Sequence, residues 1–272
     1  MAVKGKNRIE SLFERLRADG KKALITFVTA GDPDLPTSKR IVRELERSGA
    51  DLIELGIPFS DPMADGPTIQ ASSERALKKD VHIREVLGLV REIRKNSEIP
   101  IVLFGYYNPI FNYGLKRFAK EIRAAGADGV LIVDLPAEEA DELKTELDRN
   151  SVDLIFLLTP TSDDNRMRLV ASKASGFIYF VSVTGVTGAR KNLSTDIPAY
   201  MRRLRKFTNI PIGVGFGIST PKQAREVCKS ADAAVVGSAI VNIIAGMQGS
   251  AKSMRVLGSF VSGLKQGISR PR

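Results

Sequence analysis

Short runs of apolar and β-branched residues recur along the chain. After each, apolar positions return every three or four residues. The short runs fall at about residues 23–29 (ALITFVT), 51–57 (DLIELGI), 100–105 (PIVLFG), 128–134 (DGVLIVD), 152–158 (VDLIFLL), 176–182 (GFIYFVS), 209–213 (NIPIG) and 232–237 (DAAVVG), and they read as strands. Residues 38–48 illustrate the intervening pattern: Ile41, Val42, Leu45 and Ser48 keep helical spacing while Arg and Glu take the other side. Residues 119–125 and 138–148 behave alike, and two helical stretches, about 67–78 and 83–95, fill the long gap before the third strand. Glycines end helices ahead of strands in SGAD (48–51), AGAD (125–128) and SGF (175–177). Eight strand–helix units predict a parallel sheet closed as a single (β/α)8, or TIM, barrel, with an open doubly wound sheet as the alternative. Ile9, Leu12, Phe13 and Leu16 mark an additional N-terminal helix able to cover the barrel floor. Val256, Leu257, Phe260, Val261 and Leu264 mark a closing helix. Residues 1–272 are expected to form one domain, with short flexible ends at about 1–7 and 269–272.

Composition narrows the function classes. With 43% hydrophobic and 26% charged residues, the 272-residue chain has the make-up of a globular protein, not a disordered one. A net charge of +10 raises nucleic acid as a partner. Its distribution argues against that reading, because Lys and Arg alternate with Glu and Asp along the helical stretches, and the densest basic runs, 201–206 and 269–272, lack interleaved aromatics. The charge suits attraction of small anions over a Debye length instead. The lone cysteine, Cys228, rules out an internal disulfide and fits a reducing compartment. With one histidine, His82, the chain has no makings of a zinc site or a Cys–His dyad. No apolar leader and no 18-residue apolar run is present, so no membrane association is expected and the cytoplasm is the expected location.

In a barrel of this kind the chemistry sits at the C-terminal ends of the strands. The second strand places Glu54 among Leu52, Ile53 and Leu55. Alternation puts Leu52, Glu54 and Gly56 on the inner face, which makes Glu54 a partly desolvated carboxyl with a raised pKa, suited to proton transfer. The competing reading is a buried Glu paired with a cation, but none of the other seven strands supplies one. The following loop carries Asp61 and Asp65; either is able to start a turn or cap a helix, and for Asp65 the residues alone leave cap and catalyst open. GVGFGIST (213–220) and VGSAIV (236–241) supply glycines ahead of helices, which suits backbone binding of a phosphate. The third glycine of a dinucleotide fingerprint is missing, since Ile218 stands there. SVTGVTGARKN (182–192) has the composition of a lid.

The stretch ELGIPFSDPMADGPTIQ (54–70) resembles the signature of the tryptophan synthase alpha chain family. FVTAGDP (27–33), GYYNPI (105–110), DLP (134–136), SVTGVTGAR (182–190) and GFGIS (215–219) follow in the family's order, and the likeness runs from about residue 8 to 268. The resemblance implies a carbon–carbon lyase that cleaves indole-3-glycerol phosphate to indole and glyceraldehyde 3-phosphate. It implies Glu54 as general acid/base and Asp65 as the group that stabilises charge at the indole N–H. It implies Phe27, Phe104, Tyr106 and Tyr179 around the indole, Thr187 as a lid partner of Asp65, and Gly188, Phe216, Gly217, Gly237 and Ser238 on the phosphate. It also implies a beta subunit that holds pyridoxal phosphate, in an alpha2beta2 heterotetramer, with Asp61, Asn108 and Pro136 near the contact. No cofactor or metal is implied for this subunit itself. Another sugar-phosphate barrel lyase or isomerase is the alternative; a synthase of the same substrate class would call for a strand lysine, which no strand interior offers.

Overall fold

The computed structural model describes residues 7–182, 196–215, 217–247 and 251–269. Their elements follow in the order α1 (Arg8–Ala18), β1 (Ala23–Thr29), α2 (Leu35–Arg47), β2 (Leu52–Gly56), α3 (Pro67–Leu77), α4 (Ile83–Arg94), β3 (Ile101–Gly105), α5 (Tyr107–Tyr113), α6 (Leu115–Ala125), β4 (Gly129–Ile132), α7 (Asp141–Arg149), β5 (Asp153–Leu158), α8 (Asp164–Lys173), β6 (Ile178–Val181), α9 (Ile197–Leu204), β7 (Ile212–Gly215), α10 (Pro221–Cys228), β8 (Ala233–Val236), α11 (Ser238–Ala245) and α12 (Ala251–Ser269). The strands pair in sequence order, all parallel, and β1 pairs with β8 to close the barrel. The open-sheet alternative is therefore excluded.

Strand alternation divides the core into two shells. Ile25, Leu52, Val102, Leu131, Ile155, Phe177 and Val235 meet inside the barrel, where Ile9, Leu12, Phe13 and Leu16 of α1 join them from below. Ile53, Leu55 and Ile57 face the helices in the outer shell. The added helix is thus a plug for the barrel floor, as its apolar spacing predicts.

Two expectations need correction. The seventh strand starts at Ile212, not Asn209, and continues to Gly215. Pro211 has no N–H to give a ladder, and the glycines that make Gly213–Val214–Gly215 look like a loop occupy strand positions beside Tyr179. In the closing helix, Leu257, Val261 and Leu264 are buried, but Val256 is 52% exposed and lies outside the apolar stripe. Gly49, Gly126 and Gly176 have φ of +105°, +97° and +73°, the left-handed conformation that ends a helix before a strand.

The SGAD and AGAD echo has a structural meaning. Asp51 accepts the Leu24 N–H at 2.7 Å and the Lys265 ammonium at 2.5 Å. Asp128 accepts the Ile101 N–H at 2.9 Å, with Arg94 at 2.8 Å and Arg8 at 3.0 Å. A third copy, Asp232, accepts the Ile212 N–H at 2.8 Å and pairs with Arg205. Each aspartate thus ties an N–H at the start of the preceding strand to a cation at the barrel floor. Asp128 is fully buried, so Asp128→Ala would strand the Arg94 guanidinium, which is itself only 10% exposed. We expect a loss of about 3–5 kcal/mol, read as a lower midpoint in urea unfolding.

Candidate active site

Glu54 sits on β2 between Phe27 of β1 and Val102 of β3 in the sheet register. It is 1% exposed, and its Oε1 has no hydrogen-bond partner. Burial alone pushes its carboxyl up to about 8. Among the described residues no cation meets it, which argues against the competing reading of a structural ion pair. At neutral pH this group holds a proton ready for donation.

Asp65 does not cap the helix that follows. The N-cap of α3 is Gly66, with Pro67 at the first position. The Asp65 carboxylate instead accepts a hydrogen bond from the Tyr106 hydroxyl at 3.0 Å, and that hydroxyl accepts the Ala64 N–H at 3.1 Å. Burial raises the Asp65 carboxyl to about 6, with the Tyr106 hydrogen bond opposing the rise. Tyr106→Phe removes that donor, so the Asp65 pKa should move above its present value. Carbon-13 NMR titration of the carboxylate checks the shift; an unchanged pKa would show that Tyr106 does not support the anion.

Tyr179, on β6, stands where both carboxylates are felt. Burial first, then the charges of Glu54 and Asp65, hold its phenol well above its ordinary value. Its hydroxyl occupies space that only a glycine at 215 leaves open, since a β-carbon there would come within 2.1 Å of it. Phe27 and Phe104 meet edge to face with centroids 5.1 Å apart, and Phe59 lies 5.1 Å from the Tyr106 ring. These rings make the upper barrel apolar around two polar groups of different acidity.

The two glycine loops differ in a way their composition hides. At α10, the Thr220 side chain takes the Gln223 N–H and the Gln223 side chain takes the Thr220 N–H, so that helix start satisfies its own donors. At α11 the N-cap is Gly237, without a side-chain cap. The first N–H groups of α11, beginning at Ser238, are therefore open to an anion. Gly217 takes φ +74° beside this loop pair. Thr187, Gly188 and Phe216 lie outside the described residues, as does most of the expected lid.

Asp61 and Asn108 are exposed, Pro136 is half-buried, and Met63 and Phe111 near them are 88% and 57% exposed. Asp134 accepts the Tyr107 N–H at 2.7 Å, which links the DLP turn to α5. Two contributors escape the sequence reading: Phe59, packed on Tyr106, and Gln70, whose amide reaches the Asp65 carbonyl at 2.9 Å. Among the described residues no group of His, Cys, Asp and Glu is placed to hold a metal, and no helix is long and apolar enough to cross a membrane. Cys228 is a buried thiol pushed up to about 12, in keeping with a packing role.

Known proteins resemble this chain over the whole barrel. Residues 13–269 match the family model described as Tryptophan synthase alpha chain. The chain is 57% identical over 262 residues to a tryptophan synthase alpha chain of Citrifermentans bemidjiense, and 56% identical to that of Geobacter sp. strain M21, covering 96% of this chain and 98% of each relative. The crystal structure of tryptophan synthase subunit alpha from Legionella pneumophila superposes with a TM-score of 0.88 at 39% identity, over 97% of this chain and 99% of that one. Tryptophan synthase of M. tuberculosis, in an open form, gives 0.88 at 32% identity, over 98% of this chain and 100% of that one. With the barrel, the carboxylate segment and the near-complete coverage all in agreement, this chain belongs to the tryptophan synthase alpha chain family and is a lyase of tryptophan biosynthesis.

Proposed function

We propose that this lyase performs the retro-aldol cleavage of indole-3-glycerol phosphate with Glu54 and Asp65 as its catalytic pair. The carrying observation is two carboxylates at one barrel mouth with separated acidities, about 8 and about 6. Near pH 7 the first keeps its proton and the second is ionised. Glu54 delivers a proton to indole C3. The positive charge that develops at the indole N–H is held by the Asp65 carboxylate. The glycerol hydroxyl next to the breaking bond then loses its proton to Glu54 and becomes the aldehyde, while the pair of the C–C bond returns to the ring. Atoms and charge balance without a cofactor in this subunit. Phe27, Phe104, Tyr106 and Tyr179 would enclose the indole. The open start of α11 at Gly237 and Ser238, with Gly217, Phe216 and Gly188, would hold the phosphate, and Thr187 would reach Asp65.

The exposed Asp61, Met63, Asn108 and Phe111, with the half-buried Pro136, suit contact with a beta subunit, which would bring pyridoxal phosphate and receive the indole in an alpha2beta2 heterotetramer. We further read residues 1–272 as one domain working in the cytoplasm. The test is release of indole and glyceraldehyde 3-phosphate from indole-3-glycerol phosphate, with and without a beta subunit. No indole under either condition would overturn the proposal.

A further inference from the structure

Asp65 lies in a turn whose tip, at Met63, is 88% exposed. What holds the turn is the helix behind it. Ser72 of α3, fully buried, shares a hydrogen bond of 2.6 Å with Thr29 at the top of β1. Arg75 makes two bonds of 2.7 Å to Asp32, which is 3% exposed. Thr68 donates to Asn242 of α11 at 3.2 Å. Side chains of α3 are therefore fixed to β1, to the loop after it, and to the helix whose start is open to an anion. From this fixed helix the Gln70 amide points back at the turn. Its Nε2 donates to the Asp65 carbonyl at 2.9 Å and lies 3.4 Å from the Pro62 carbonyl. The turn closes itself by the Asp65 N–H to the same Pro62 carbonyl at 2.9 Å. One amide thus spans both ends of the turn.

We propose that Gln70 is a positioning residue for the lyase reaction, holding the 62–65 turn through its main-chain carbonyls so that the Asp65 carboxylate is fixed beside Tyr106. The role rests on the reading of Asp65 given above. Gln70 acts at a distance from the reacting atoms, so its loss should lower kcat and leave substrate affinity nearly unchanged. It also acts through one residue, so its loss should matter little once Asp65 no longer carries a charge.

The experiment is a double-mutant cycle on the complex with the beta subunit, following indole release. Gln70→Ala should lower kcat by about tenfold or more with KM within about twofold. Gln70→Glu, whose ionised carboxylate has no donor for two carbonyls, should be as impaired. In an Asp65→Asn background, Gln70→Ala should lower kcat by less than about twofold further. Binding of inorganic phosphate, by calorimetry, should match wild type in every variant and so reports an intact barrel mouth. Wild-type kcat in either Gln70 variant, or losses that multiply in the double variant, would overturn the positioning role while leaving Asp65 in place. Wild-type kcat in Asp65→Asn alone would remove the reading of Asp65, and the role of Gln70 with it.

Discussion

Glu54→Gln is expected to lower indole-forming turnover by about a hundredfold or more, with the barrel intact and more stable than wild type at alkaline pH. The kinetic part follows from the proton. An amide of the same shape occupies the site but neither donates to carbon nor accepts from the glycerol hydroxyl. The stability part follows from burial. Glu54 has a folded-state pKa of about 8 against an ordinary value of 4.5, because the ionised form is desolvated and, among the described residues, its Oε1 has no partner. Between those two values the folded chain binds more protons than the unfolded one, so wild-type stability falls as pH rises through that window. Above about pH 8 the burden is complete, and Gln escapes it. We expect Glu54→Gln to gain on the order of a few kcal/mol over wild type at alkaline pH and much less near pH 4.5, read from urea midpoints. Parallel pH dependence in the two proteins would contradict the buried, unpaired carboxyl.

Asp65→Asn should also be severely impaired, by about a hundredfold or more in kcat. Asn is still able to accept from the Tyr106 hydroxyl, so the turn keeps its contact and loses only its charge. A drop in kcat with phosphate binding preserved is the expected signature; normal kinetics would return Asp65 to a purely local role. The two carboxyls also set the pH–rate profile of the wild type. Activity should rise as Asp65 ionises near pH 6 and fall as Glu54 loses its proton near pH 8.

Much of this was legible in the chain because strands and helices have different periods. A charge inside Leu52–Gly56 stands out against the apolar run, and alternation alone turns it inward. Asp65 is a different case. Its distinguishing contact is the hydroxyl of Tyr106, forty-one residues along, and nothing local separates a helix cap from a held carboxylate. The end of strand β7 is hard to read because glycines look like a loop until Tyr179 is seen to need the room, while its start is set by Pro211, which has no N–H for the ladder. The two glycine loops looked alike, although the Thr220–Gln223 spacing already carried a capping signal that α11 lacks. Gln70 was hidden for the plainest reason: its partners are main-chain carbonyls, which every residue has.

In this mechanism Glu54 moves the proton that breaks the carbon–carbon bond. The most direct test is the rate of indole release from saturating indole-3-glycerol phosphate at pH 7, wild type and Glu54→Gln side by side, each with the beta subunit. Indole is expected from the wild type, and a rate lower by about a hundredfold or more from the variant. A variant rate within about threefold of wild type would contradict it.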